Sequence, residues 1–317
     1  MGLFSLAVRQ VVGKGSKKMK KFRKIVAIEP VNMLPFGEEK FRTHCEELIL
    51  FNDIPSSAEE VIRRIGDADC LLVSYTTSIT EEILSACPNL KYIGMCCSLY
   101  SEESASVDIR YAREHGITVT GIRDYGDNGV AEYVVGELVE VLHGFHGKKS
   151  FFDEPAELTD LKVGVLGMGT TGQIVANALR FFGSCVSYYS RTRKESIEES
   201  GIVYKDLHPL LKECDIICCC LSKNVTLLYE EELEILGNHK IIFNTALSPS
   251  FDVNAMEKWL SHSENHYYCD TLMAVGNTDF LSLPNVHCAK QSAGMTRQAV
   301  ERLNQKVLDN MEQYLQQ

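Results

Sequence analysis

The chain has 317 residues, 45% of them hydrophobic and 24% charged, enough length for two independently packed cores. Its formal charge of -11 argues against general nucleic-acid binding, which needs a basic face against phosphates. No apolar run reaches the length of a bilayer span, so no membrane partner is expected.

The chain opens with a basic stretch, residues 1–18, holding Arg9, Lys14, Lys17 and Lys18 and no acid. It reads as a mis-called leader ahead of a true translation start at Met19. From residue 22 onward, strand and helix signals alternate. Lys24–Ile28 reads as a strand and Gly37–Leu48 as an amphipathic helix with Phe41, Cys45 and Leu48 on one face. The apolar run 69–74 and the strand-like Leu90–Met95 are separated by a helix over Thr80–Ala86, which Pro88 stops. A helix over Val107–His115 and a strand over Ile117–Thr120 complete this series. A long helix follows over Asn128–His143, with Val130, Val134, Leu138 and Leu142 on its apolar face, and a second series starts at Leu161. Such alternation predicts parallel sheets covered by helices, an α/β architecture.

The second series opens on the sharpest motif. An apolar strand, Val163–Leu166, runs into Gly167-Met168-Gly169-Thr170-Thr171-Gly172, and a helix over Gln173–Phe181 follows at once. Gly167 permits a tight turn, Gly169 lets the backbone approach a pyrophosphate, and Gly172 lets helix and strand pack closely. The helix N-terminus then offers free N–H groups and a positive dipole end to phosphate. The next strand, Cys185–Tyr189, ends in Ser190-Arg191-Thr192-Arg193-Lys194. An NAD site usually carries an acid there, ~20 residues past the glycines, on the ribose 2′-hydroxyl. Hydroxyls and guanidinium groups instead suit a 2′-phosphate, which favours NADP(H) over NAD(H). The 12 cysteines form no CxxC pair and no metal-ligand spacing, so no metal is expected and a reducing cytoplasm is. Cys218, Cys219 and Cys220 read as small core hydrophobes.

Other segments carry a resemblance. Residues 108–120 (DIRYAREHGITVT), Val130-Ala131-Glu132, 206–211 (DLHPLL), 214–217 (CDII), 241–246 (IIFNTA) and 283–286 (LPNV) occur in the order seen in one family. The chain resembles the D-isomer-specific 2-hydroxyacid dehydrogenases from residue 22 almost to its end. The resemblance implies two Rossmann-like, doubly wound parallel-sheet domains, with the cofactor domain inserted in the catalytic domain. It places a substrate domain at 22–123 and 291–317, an NAD(P)-binding domain at 124–290, and the active site in a cleft at the sheet's switch point. It adds Thr245 and Asp270 to the cofactor residues. It also implies a homodimer through the long crossing helix, whose Val134, Val135 and Leu138 would permit one.

The family's catalytic set is replaced. Its arginine after Asn-Thr-Ala is Leu247 here, its glutamate falls in an acid-free run, 271–277, and its histidine aligns with Gln291. The glycine-rich substrate loop is longer and reads Cys96-Cys97-Ser98-Leu99-Tyr100. Lys290, Gln291, Tyr125 and Tyr75 are the candidate replacements, each with a plainer structural role open to it. The reading is an NAD(P)-dependent oxidoreductase, an NADPH-dependent reductase acting on a small molecule other than a 2-keto acid, such as an aldehyde, imine or activated alkene. A non-catalytic, dinucleotide-responsive regulatory protein and a true 2-hydroxyacid dehydrogenase with substituted residues are the alternatives.

Overall fold

The computed structural model describes residues 20–147 and 149–317, so the leader expected at 1–18 lies outside the described residues. The chain divides into two compact units, one ending at Arg123 and resuming at Asn304, the other spanning Asp124–Leu303. The second junction falls inside the C-terminal helix.

In the first unit, β1 (Phe22–Ala27), α1 (Pro35–Thr43), β2 (Cys45–Leu50), α2 (Ala58–Ile65), β3 (Cys70–Val73), α3 (Glu81–Ala86), β4 (Tyr92–Ser98), α4 (Ile109–Glu114) and β5 (Thr118–Ile122) follow in turn. The strands form one parallel sheet in the order β2-β1-β3-β4-β5. Val26, Leu71, Val73, Ile93 and Met95 project into a core closed by Val61, Ile65, Ile83 and Leu84. The helix expected through Leu48 ends at Thr43 instead. His44 turns the chain, and Cys45–Leu50 pairs with β1, with Leu48 beside Ile25. The three consecutive apolar residues Leu48, Ile49 and Leu50 suit a sheet edge better than a helix face.

The second unit opens with α5 (Asp127–His143) and continues through β6 (Lys162–Leu166), α6 (Thr170–Phe181), β7 (Cys185–Tyr189), α7 (Glu195–Glu198), β8 (Val203–Tyr204), α8 (Leu207–Glu213) and β9 (Ile216–Cys219). Then come α9 (Glu230–Leu236), β10 (Ile241–Asn244), α10 (Val253–Leu260), β11 (His266–Cys269), β12 (Val286–Cys288) and α11 (Arg297–Leu315), whose last turns return to the first unit. Its seven parallel strands run β12-β11-β10-β9-β6-β7-β8, so strand order reverses beside β6. Both faces are covered, as parallel sheets require. Val163, Val165 and Cys218 pack under α5 and α6, while Leu166, Ile217 and Cys219 pack under α8 to α10. Of the three residues named for a dimer face, Val134 and Leu138 are fully buried in this unit's own core and Val135 is half-buried against it. They serve the sheet, because the apolar stripe of α5 is the one it turns inward. No helix among the described residues is long and apolar enough to cross a membrane.

Candidate dinucleotide site

The site is built at the C-terminal end of β6, where the strand order turns. Gly167 adopts φ +95°, and its N–H donates to the Tyr189 carbonyl at 2.8 Å, tying the turn to β7. A side chain at Gly167 would strike the Cys220 carbonyl, and one at Gly172 would strike the Gly167 carbonyl. Above Gly169, by contrast, a Cβ meets nothing within 4 Å. That open space faces the start of α6, where Gly169 is the N-cap and no side chain caps the helix. The first N–H groups of a helix have no partner of their own. The turn therefore presents free donors and a positive dipole end to an anion. Thr171 Oγ1 donates to the Asp127 carboxylate, joining the turn to the first residue of α5.

A cavity of about 320 Å³ extends from this turn to the end of β7. Gly167, Met168 and Gly169 line one end; Ser190, Arg191, Thr192 and Lys194 line the other, with Cys220 and Leu221 along its wall. No carboxylate is among its lining residues. Ser190 Oγ donates to the Thr192 carbonyl at 2.6 Å, which shapes the loop, and the Arg191 side chain is exposed. Arg193, expected beside it, is engaged elsewhere. Its guanidinium grips Glu198 through Nε–Oε1 at 2.7 Å and Nη2–Oε2 at 2.5 Å, and it lies over the Tyr204 ring. Glu198 also accepts from the Tyr188 hydroxyl at 2.9 Å. This network drives the Glu198 carboxyl below its usual range, chiefly through Arg193. The basic loop thus contributes Arg191 and Lys194 to the cavity and uses Arg193 to brace the loop.

Near the ends of β10 and β11 lie Thr245 and Asp270. Thr245 Oγ1 donates to the Cys219 carbonyl at 3.2 Å. Asp270 is 3% exposed, yet only one carboxylate oxygen, Oδ2, has a partner, the Ala293 N–H at 2.9 Å. Oδ1 is buried with no hydrogen bond, as is the neighbouring Thr271 Oγ1. Burial pushes the Asp270 carboxyl above its ordinary range, against the opposing pull of the Ala293 amide. A buried acceptor left unmatched costs about 1–3 kcal/mol, so this oxygen is built for a donor the protein does not supply. The carboxamide N–H of a nicotinamide is such a donor. The open space over Gly169 and the orphaned Asp270 oxygen both fit a dinucleotide.

The catalytic candidates are divided. Lys290 and Gln291 follow β12 with exposed side chains, Lys290 at φ +56°, and the Gln291 N–H donates to the Asp270 carbonyl at 2.8 Å. Tyr125 precedes α5, and its carbonyl accepts from Arg302 Nε at 2.8 Å. The next residue, Gly126, packs so tightly on the Gly294 backbone that a Cβ would not fit. The structure therefore brings the Tyr125 loop against the same segment that carries Lys290 and Gln291. Tyr75 belongs to the first unit, 67% exposed in the loop after β3. Sequence reasoning missed what holds that loop. The buried Glu29 accepts from Ser74 N at 2.7 Å and from Thr77 Oγ1 at 2.5 Å. An acid ending an apolar strand was the available signal.

The model of the D-isomer specific 2-hydroxyacid dehydrogenase catalytic domain matches residues 25–317. The chain belongs to this family. A hydroxypyruvate reductase of Blautia hydrogenotrophica is 25% identical over 279 residues, 81% of this chain and 85% of that one. A glyoxylate reductase of Thermofilum pendens is 30% identical over 226 residues, 66% of each chain. Among solved structures, an acyclic imino acid reductase in complex with NADPH and D-Arg is similar with a TM-score of 0.77 at 24% identity, covering 92% of this chain and 97% of that one, which shows the shared fold. As a family member the chain is an NAD(P)-dependent oxidoreductase. Leu247, where the family's arginine is expected, is 43% exposed.

Proposed function

We propose that this protein is an NADPH-dependent reductase whose acceptor is a small aldehyde, imine or activated alkene rather than a 2-keto acid. The observation that carries the cofactor choice is the far end of the 320 Å³ cavity, lined by Ser190, Arg191, Thr192 and Lys194 and by no acid. A 2′-phosphate there would meet two cations and two hydroxyls, and arginine can grip it through two parallel hydrogen bonds. When bound, NADPH supplies the hydride from its nicotinamide ring. The protein's share is to orient that ring through Asp270 Oδ1 and to provide a proton.

The acceptor class follows from what the neighbouring residues lack. Reduction of a 2-keto acid needs a cation to hold and polarise the carboxylate and carbonyl, and a proton donor that titrates near neutral pH. Leu247 has no charge, and the Gln291 amide does not titrate. Lys290 and Tyr125, brought to one segment by the Gly126–Gly294 contact, are the groups that can polarise an acceptor and donate a proton.

The test is a fluorescence titration of the full chain with NADPH and with NADH. NADPH binds about tenfold or more tighter, the worth of one charge-assisted contact, and Arg191→Ala removes most of the difference. Equal affinity for the two cofactors in the unmodified protein would overturn the cofactor assignment.

A further inference from the structure

β12 is the edge strand of the seven-stranded sheet, and its last residue, Cys288, is the register partner of Cys269, the last residue of β11. Register partners on neighbouring parallel strands project to one face. Their backbones lie ~4.8 Å apart, inside the ~4.4–6.8 Å Cα separation that a disulfide spans. Cys288 lies close enough to raise the cost of charging the Cys269 thiol. Among the described strands no other cysteine has a cysteine as its register partner. Cys96–Cys97 and Cys218–Cys219 are successive residues and point to opposite faces. Cys269 is fully buried and Cys288 half-buried, so a small oxidant reaches the pair through Cys288. β12 is three residues long and has one neighbouring strand, so it can shift to seat a sulfur–sulfur bond.

The pair sits against the cofactor's orienting group. Asp270 follows Cys269 directly. The chain leaving β12 is stitched back through Ala289 N to the Cys269 carbonyl at 2.9 Å, Gln291 N to the Asp270 carbonyl at 2.8 Å, and Ala293 N to Asp270 Oδ2 at 2.9 Å. Any shift of β12 is thus passed to the Asp270 carboxylate.

We propose that Cys269 and Cys288 are a reversible dithiol–disulfide modification site that sets cofactor affinity through Asp270. The Cys288 sulfur attacks a hydroperoxide, breaking its O–O bond to give a sulfenic acid and one water or alcohol. The Cys269 sulfur then displaces the sulfenic oxygen as a second water, and the S–S bond forms. Two thiols lose two electrons and two protons, and the peroxide is reduced by the same two electrons. Burial holds the Cys269 thiol far above its usual range, so it stays protonated until the sulfenic acid lies beside it. A small thiol reverses the modification by exchange. The inference rests on Asp270 orienting the cofactor.

The experiment exposes the full chain to hydrogen peroxide, blocks free thiols, maps linked peptides, and titrates NADPH before and after. A Cys269–Cys288 peptide appears, NADPH affinity falls about tenfold, the worth of one hydrogen bond to a charged group, and dithiothreitol restores it. Cys288→Ser and Cys288→Ala bind NADPH like the parent and ignore peroxide. Absence of the linked peptide, unchanged affinity once it forms, or a peroxide response that persists in the Cys288 variants overturns the proposal. Peptide mapping is independent of whether NADPH or NADH is preferred, so failure of the cofactor assignment would be seen separately.

Discussion

Two regions hang on the C-terminal edge of the same seven-stranded sheet: the turn Gly167–Gly172 after β6 and the segment 289–296 after β12. At the turn, the requirements are set by backbone. Gly167 takes a left-handed conformation, Gly172 touches a carbonyl, and Gly169 keeps its space open. After β12 the requirements of keto-acid reduction are set by side-chain chemistry, and there Gln291 stands where the family's histidine is expected, as Leu247 stands where its arginine is expected. The Asp270 backbone and carboxylate still receive the amides of Gln291 and Ala293, so the scaffold persists under changed side chains. On the proposed reading, backbone geometry keeps the cofactor's place while the side-chain chemistry beside it differs.

The comparison is tested most severely at Gly169. Gly169→Val fills the open space and lowers affinity for either cofactor by roughly 100-fold or more, with the far-ultraviolet circular dichroism spectrum unchanged. A folded variant that still binds would show that the turn is not the phosphate site. A smaller effect separates the two arginines of the loop. Arg193→Ala, which removes the Glu198 brace, changes the NADPH-to-NADH preference much less than Arg191→Ala, and parallel titrations decide it. Equal loss of preference in both variants would give Arg193 a direct part in binding.

The smallest effect is a pH dependence of stability at the sheet edge. Burial holds the His266 imidazole below its ordinary range, with His239 adding to the effect, while His266 Nδ1 lies 3.2 Å from His287 Nε2. The folded chain therefore takes up this proton less readily than the unfolded chain, whose histidine titrates near ~6.5. The stability this group contributes is complete above that pH and is lost as pH falls toward the folded value. His266→Phe shows a smaller drop in Tm between pH 7.5 and 5.5 than the parent. An equal or steeper drop would place the pH sensitivity elsewhere.

The parallel α/β architecture and the glycine turn after β6 were legible in the sequence because spacing and glycine carry them. Less legible was whatever depends on a partner far along the chain. Arg193 and Arg191 read alike until Glu198 is seen to claim one of them. Cys45–Leu48 read as helix because its pairing with β1 cannot be inferred from its own residues. α2 was readable and passed over: Ser57 caps Glu60 N at 3.3 Å, and Val61 and Ile65 lie one turn apart on its buried side. The unpartnered oxygen of Asp270 has no signature in sequence at all, since it is defined by what surrounds it.

One assay addresses both the proposed dinucleotide site and the proposed loss of keto-acid chemistry. NADPH oxidation is followed with glyoxylate, pyruvate, hydroxypyruvate and 3-phosphoglycerate at millimolar concentration, with NADPH binding to the same preparation measured by fluorescence. An established glyoxylate reductase serves as positive control. The expected result is saturable NADPH binding with turnover of every keto acid at least ~10²–10⁴-fold below the control, the loss for one missing general acid. Loss of the charged polariser deepens the deficit without necessarily multiplying it. Turnover near the control's rate would show that Lys290, Gln291 or Tyr125 performs the family's chemistry after all.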